Sequence, residues 1–282
     1  MEITVLVENE AGAVVGEDGN EVKAAHGLSF YIESEGKKIL VDTGSTSLFS
    51  KNAETLGIEL ADVDMLFISH AHFDHGGGLP TFFRINKKAQ VYMHRLTQGK
   101  FYLKILGIFP YYIGLNRTIF EDYKDRITFI DNDLELDHTI SVLSNFQNEF
   151  PRPEGNKTLF IKKNSTLMQD DFTHEIALLI KEPDGNVLFS SCSHSGIYNI
   201  VKSASDKHPE KLKAVIGGFH LFNPVSKKSE SRDYMSKLAK GMDEFDTTYY
   251  TCHCTGKENV AFLKQELCEK VSAIHTGDVI RL

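Results

Sequence analysis

Residues 69–79 read SHAHFDHGGGL: three histidines and an aspartate within six positions, followed by three glycines. Imidazole nitrogens and carboxylate oxygens are the donors that divalent transition metals take from proteins. Histidine supplies only 12 of the 282 residues, so three in six is a concentration that chance rarely yields. On an extended or turning backbone positions 70 and 72 project to the same side, which lets His70 and His72 grip one ion. Asp74 and His75 then face a neighbouring point, where a second ion fits about 3.5–4 Å away, as in two-metal hydrolytic sites. The bland alternative, a surface turn of histidines without a ligand, does not account for this density.

The elements around the cluster must deliver it to one place. It follows VDMLFIS, a strand of buried type, and so sits at a strand's end. Gly76, Gly77 and Gly78 are expected to let the chain turn tightly around a cavity. Upstream, GLSFYIESEGKKILVDTG gives two strand-like runs around a Glu-Gly-Lys turn. Downstream, GGLPTFFRI suits a short helix, AQVYMH a strand, and IALLIKEPDGNVLFSS a hairpin turning on Pro-Asp-Gly-Asn. From there helices near 196–204, 230–240 and 257–268 alternate with the strands KAVIGGFH, TTYYTCH and VSAIH. Strand runs followed by βα alternation, twice over, predict an α/β sandwich of two sheets covered by helices. No linker or low-complexity tract divides residues 1–282, so a single domain is expected.

Composition narrows the classes. An apolar fraction of 41% with 25% charged residues is that of a globular chain, and 282 residues leave ample room for a core. A net charge of -8 argues against nonspecific nucleic-acid binding. No window approaches the roughly 18–20 apolar residues of a membrane span, and MEITVLVENEAG lacks the regions of a signal peptide, so no membrane partner and a cytoplasmic location are expected. Cys192, Cys252, Cys254 and Cys268 have no disulfide-scaffold spacing and read as thiols. No Ser-His-Asp elbow, Walker loop or Rossmann glycine pattern competes with the histidines.

HAHFDH at 70–75, preceded by VDTG at 41–44, resembles the metallo-β-lactamase superfamily, and the resemblance covers essentially the whole chain. It implies a four-layer αββα sandwich with a dinuclear metal site between the sheets. CSHSG at 192–196, GGFHL at 217–221 and HCTG at 253–256 are similar to the group of 7,8-dihydropterin-6-methyl-4-(ribofuranosyl)aminobenzene-phosphate synthases of methanopterin biosynthesis. The implied cofactor is a pair of divalent transition-metal ions, zinc first, with iron or manganese as alternatives.

The remaining histidines divide by position. His194 follows the strand NVLFSS, where side chains point into an interlayer crevice, and is the first choice to complete a site with His70 and His72. His253 ends TTYYTCH and matches the family's last ligand, on the side of Asp74 and His75; His220, at the end of KAVIGGFH, competes for that place. We assign His253 as ligand and His220, with Asp74, to catalysis, His220 as acid or substrate contact. Where the superfamily places a bridging aspartate, this chain aligns Cys192, either a thiolate ligand favouring zinc or a buried structural cysteine. The family's third-position histidine has no clear counterpart; Asp171 falls nearest, beside Asp170 and His174, as a ligand or as a solvated acidic residue. His94 reads as a rim residue, and Asp42 as the carboxylate that accepts a ligand histidine's second ring N–H.

Between 96 and 125 stand seven aromatics in 30 residues, more than twice the chain's 10%. They are expected to form a lid or insertion that stacks on a flat substrate ring, or else local core or a contact in a homo-oligomer. Two function classes lead. In one, metal-activated water attacks an ester, lactone, amide or phosphodiester of a small-molecule substrate. In the other, the same ions hold a pyrophosphate leaving group while an aryl nucleophile attacks a pterin methylene carbon. A diiron redox protein is less favoured, since relatives of that kind often carry glutamate where this chain has His72; a non-catalytic, metal-containing ligand sensor is the remaining class.

Overall fold

The computed structural model describes residues 1–16, 19–105 and 107–282, which form two compact units. The first comprises Met1–Lys100, Ile113–Asp131 and Ile274–Leu282. Its sheet runs in the order Val279–Arg281, Glu2–Val7, Ser29–Ser34, Lys37–Val41, Met65–Ile68, Gln90–His94, Ile127–Ile130. The first three pairings are antiparallel and the last three parallel. The change follows from the connections. Glu35 and Gly36 take positive φ of 47° and 74°, which matches the twist of a tight hairpin, whereas the later strands are joined through helices that force a crossover.

Those helices, Leu48–Thr55 and Leu79–Ile85, bury Phe49, Ala53, Phe82 and Phe83 against Leu40, Leu66, Ile68, Val91 and Met93 of the sheet. The larger of these side chains each contribute about 1.5–3 kcal/mol on burial. Val41 and Ile68 end where Asp42 and His70 begin.

None of Gly76, Gly77 and Gly78 takes a positive φ, and the chain passes through the short helix Phe73–Gly76 directly into Leu79–Ile85. What they permit is contact of backbone with backbone. A Cβ on Gly77 would stand 2.2 Å from the Ser45 carbonyl oxygen, and one on Gly78 2.4 Å from that of Thr43. Hydrogen bonds from Thr43 N–H to the His75 carbonyl (2.7 Å) and from Gly78 N–H to the Gly44 carbonyl (3.1 Å) close this seam.

The second unit comprises Phe101–Tyr112 and Asn132–Ala273. Its main sheet runs Val271–Ala273, Thr248–Thr251, Leu212–Gly217, Gly185–Phe189, Ala177–Glu182, Ile140–Leu143, Leu134–Glu135. The first three pairings are parallel and the rest antiparallel. Helices Ile197–Lys207, Arg232–Asp243 and Lys257–Leu267 supply the crossovers, burying Ile200, Leu238 and Leu263 against Leu188, Val215 and Tyr249. Ser231 starts the second of them by accepting from the Tyr234 N–H at 3.1 Å.

A further antiparallel sheet in this unit orders Thr166–Gln169, Leu159–Lys163, Phe101–Ile105 and Phe109–Tyr112. The aromatic stretch thus contributes a hairpin, Phe101–Tyr112, to the second unit, while Ile113–Asp131 returns to the first. Phe109, Tyr111 and Tyr112 of its edge strand are exposed. Among the described residues no helix is long and apolar enough to cross a membrane.

Candidate metal centre

In the first unit, Asp42 anchors the histidines. Fully buried, it accepts from the Ser69 N–H (2.8 Å) and hydroxyl (2.7 Å) and from His75 Nδ1 (2.7 Å). A carboxylate only accepts, so the His75 proton lies on Nδ1 and its Nε2 carries the lone pair. Ser69 spends its one hydrogen on Asp42, so at 2.9 Å its oxygen accepts from His70 Nδ1, which leaves the His70 lone pair on Nε2 as well. One carboxylate therefore sets two tautomers.

The ring nitrogens converge. His70 Nε2 faces His72 Nδ1 at 3.1 Å. Two nitrogens held tetrahedrally on one zinc at 2.0–2.1 Å stand roughly 3.3 Å apart, so the pair already has the edge of a coordination polyhedron. His75 Nε2 lies 3.6 Å from Asp74 Oδ2, which also meets His26 Nε2 at 3.2 Å. These residues fit divalent metal.

In the second unit, His194 is fixed from three sides. Its Nδ1 meets Asn156 Oδ1 at 2.9 Å, and since an amide oxygen only accepts, the lone pair again falls on Nε2. Asn156 Nδ2 returns a hydrogen bond to the His194 carbonyl at 2.8 Å. Glu175 accepts the backbone N–H of His194 and of Ser195, each at 2.7 Å, and Phe172 stacks on the ring at 4.3 Å. Burial pushes the Glu175 carboxyl upward against those two donors.

His253, Cys192 and Cys254 form a second group in this unit, with donor atoms within 4.8 Å of one another, and all three are buried. Burial alone would raise the Cys254 thiol, but its hydrogen bond with Cys192 and the positive potential of His253 and His220 draw it well below the ordinary thiol range. His220 packs beside His194, ring centroids 4.1 Å apart, and its backbone N–H points at Cys254 Sγ. It belongs to no three-donor group among the described residues.

The other positions fall outside these sets. Asp171 is more than half exposed, bonded to Thr173 and 3.4 Å from Lys163, so it is a solvated loop residue rather than a ligand. Asp170 pairs with buried His174 at 3.1 Å, and His94 accepts the Leu96 N–H at its strand's end. Asn156, Glu175 and His26 escape a reading of the sequence, because none lies in a ligand-like run; Cys254 stands in HCTG but reads there only as a thiol.

Ions that bind the folded chain and not the open one stabilise it by mass action. At about a thousandfold excess over the dissociation constant this is roughly 4 kcal/mol, or on the order of 10 °C for a chain of this size. Chelation with metal loss confirmed by elemental analysis should lower the melting temperature by that order. An unchanged curve would mean that the histidines bind nothing.

The sequence pattern of the metallo-β-lactamase superfamily matches residues 23–160. The chain is 32% identical, over 91% of its length and 90% of the relative's, to the 7,8-dihydropterin-6-methyl-4-(β-D-ribofuranosyl)-aminobenzene-5′-phosphate synthase of Methanocaldococcus jannaschii. Its fold is similar to the crystal structure of Tm1679, a metal-dependent hydrolase of the β-lactamase superfamily, with a TM-score of 0.82 and 27% identity over 100% of this chain and 99% of that one. Zinc-bound PqqB from Methylobacterium extorquens, at 11% identity and a TM-score of 0.60 over the full length of both chains, shares the fold alone. With histidine, aspartate and cysteine clusters suited to divalent metal, the chain is an enzyme of the metallo-β-lactamase superfamily and has its fold.

Proposed function

We propose that the chain is a metal-dependent hydrolase with a dinuclear site, best suited to zinc, that activates water against a small ester, lactone, amide or phosphodiester. His70, His72, Asp74 and His75 of the first unit, and His194 and His253 of the second, are the donors we assign to metal. The observation that carries this reading is the 3.1 Å approach of His70 Nε2 and His72 Nδ1, backed by an aspartate that fixes the first ring's tautomer through Ser69. When bound, such ions supply Lewis acidity, which brings the pKa of water near neutral and stabilises charge developing on the leaving oxygen.

The chain's own residues do the positioning. Asp42 and Ser69 aim His70 and His75, while Asn156 and Glu175 hold His194 and the turn that carries it. Asp74 brings negative charge to the second position. His220, buried beside His194, is the side chain we assign to pass a proton to the leaving group or to touch substrate.

A second reading is favoured by the 32% identity with the synthase: a transferase that joins a dihydropterin methyl pyrophosphate to an aminobenzene ribofuranosyl phosphate. The arylamine nitrogen would bond to the pterin methylene carbon, the carbon–oxygen bond to pyrophosphate would break, and the amine would lose a proton. Phe109, Tyr111 and Tyr112 offer flat rings for stacking on a pterin. The metal-loaded chain should therefore be assayed on phosphodiesters and lactones, and on the pterin pyrophosphate with and without the aryl acceptor. Hydrolysis in the absence of acceptor supports the first reading. A coupled product and pyrophosphate, formed only with both substrates, overturns it for the second; no turnover overturns both.

A further inference from the structure

We propose that Cys192 and Cys254 are a thiolate pair that, with His253, holds a soft divalent cation, zinc above all, from within the second unit. The two sulfurs lie 3.5 Å apart. That is far longer than the roughly 2.05 Å of a disulfide and close to the roughly 3.8 Å expected between two sulfurs bound tetrahedrally to one zinc at 2.3 Å. The His253 donor completes a triangle whose members all lie within 4.8 Å.

Three further features suit a bound thiolate. The His220 backbone N–H points at Cys254 Sγ at 3.2 Å, the kind of hydrogen bond that steadies sulfur bearing negative charge. Gly218 admits the neighbouring backbone so closely that a Cβ there would stand 2.7 Å from the same sulfur. Both cysteines leave the C-terminal ends of strands in one parallel set, Gly185–Phe189 and Thr248–Thr251, so the sheet rather than a mobile loop holds their separation. Two thiolates and a neutral imidazole balance a dication. Binding requires both sulfurs as thiolates, so any proton still on them leaves as the ion enters.

The inference rests on the metal-dependent reading above only in sharing His253, and it names the chemistry of that position. Sulfur ligands would make it select zinc or cobalt over magnesium or manganese. The competing account is two small apolar side chains in ordinary contact.

The test is to load the reduced full-length chain with cobalt(II) and record the near-ultraviolet sulfur-to-cobalt charge-transfer band together with the cobalt stoichiometry. The band should appear, fall by about half in C192S and in C254S, and vanish in the double variant. Bound cobalt without the band in the unaltered chain overturns the inference, and this measurement decides even if the variants fail to fold. A thiol count two short of the chain's four cysteines, taken after unfolding without reductant, overturns it in favour of a disulfide. The band does not depend on turnover. A charge-transfer band from a chain inactive on every substrate leaves this site standing while the functional reading falls; activity without the band does the reverse.

Discussion

Replacing Asp74 with alanine should lower turnover by roughly 10²–10⁴-fold, because the residue is asked to supply several kcal/mol of charge stabilisation at the second position. It stands in the first turn of the helix Phe73–Gly76, with Oδ2 3.6 Å from His75 Nε2 and 3.2 Å from His26 Nε2. Alanine deletes the anionic donor and keeps the helix, so the fold should survive. His70 and His72 keep their donors, and the chain should keep at least one ion. Turnover, melting temperature and elemental analysis read the three quantities together. Full activity would remove the second position from the chemistry; loss of every ion would mean that the donors act as one cooperative unit.

The second large effect is expected at Asp42, through Asp42→Asn. Asparagine tolerates the positive φ of 59° at this position and preserves shape, so the backbone is not what changes. An amide presents one acceptor where the carboxylate presents two. If its nitrogen takes the place of Oδ2, it donates toward Ser69 and His75, turns both hydrogen bonds around, and moves the ring protons of His70 and His75 onto Nε2. If its oxygen stands there instead, the amide nitrogen meets the Ser69 N–H and leaves a buried donor unsatisfied. Either arrangement costs about 1–3 kcal/mol of stability, and metal affinity should fall by about 10–100-fold. Titration calorimetry measures the affinity, and nitrogen NMR of the imidazoles reports the tautomers. Unchanged affinity would show that Asp42 does not aim these rings.

The parts of this molecule legible in its sequence are those written within a few residues. The HAHFDH cluster is local, and the strand expected before it is Met65–Ile68. The hairpin expected over 176–191 is Ala177–Glu182 with Gly185–Phe189, and the three later helices lie at Ile197–Lys207, Arg232–Asp243 and Lys257–Leu267. Contacts across long stretches of chain were not legible. Asn156 meets His194 from 38 positions away and Cys254 meets Cys192 from 62, and neither separation leaves a periodic trace. The glycines showed that side chains must be missing there, but not that the Ser45 and Thr43 carbonyls are what they approach. The hairpin Phe101–Tyr112 was hidden because Phe109–Tyr112 is exposed throughout and contains Pro110, so it has no buried face to alternate.

Asp42, His220 and His253 share a left-handed backbone, with φ of 59°, 51° and 54°. Each lies just beyond a strand, at a place where glycine or asparagine would sit with less strain. An alanine scan at these three sites would therefore mix two losses, the side chain's chemistry and a backbone preference that alanine meets badly. Glycine separates them, since it removes the functional group and relieves the twist together. A glycine variant that melts higher than its alanine counterpart while both are equally inactive would measure, site by site, the conformational cost the chain carries to aim a donor where an ordinary turn residue would have been easier to fold.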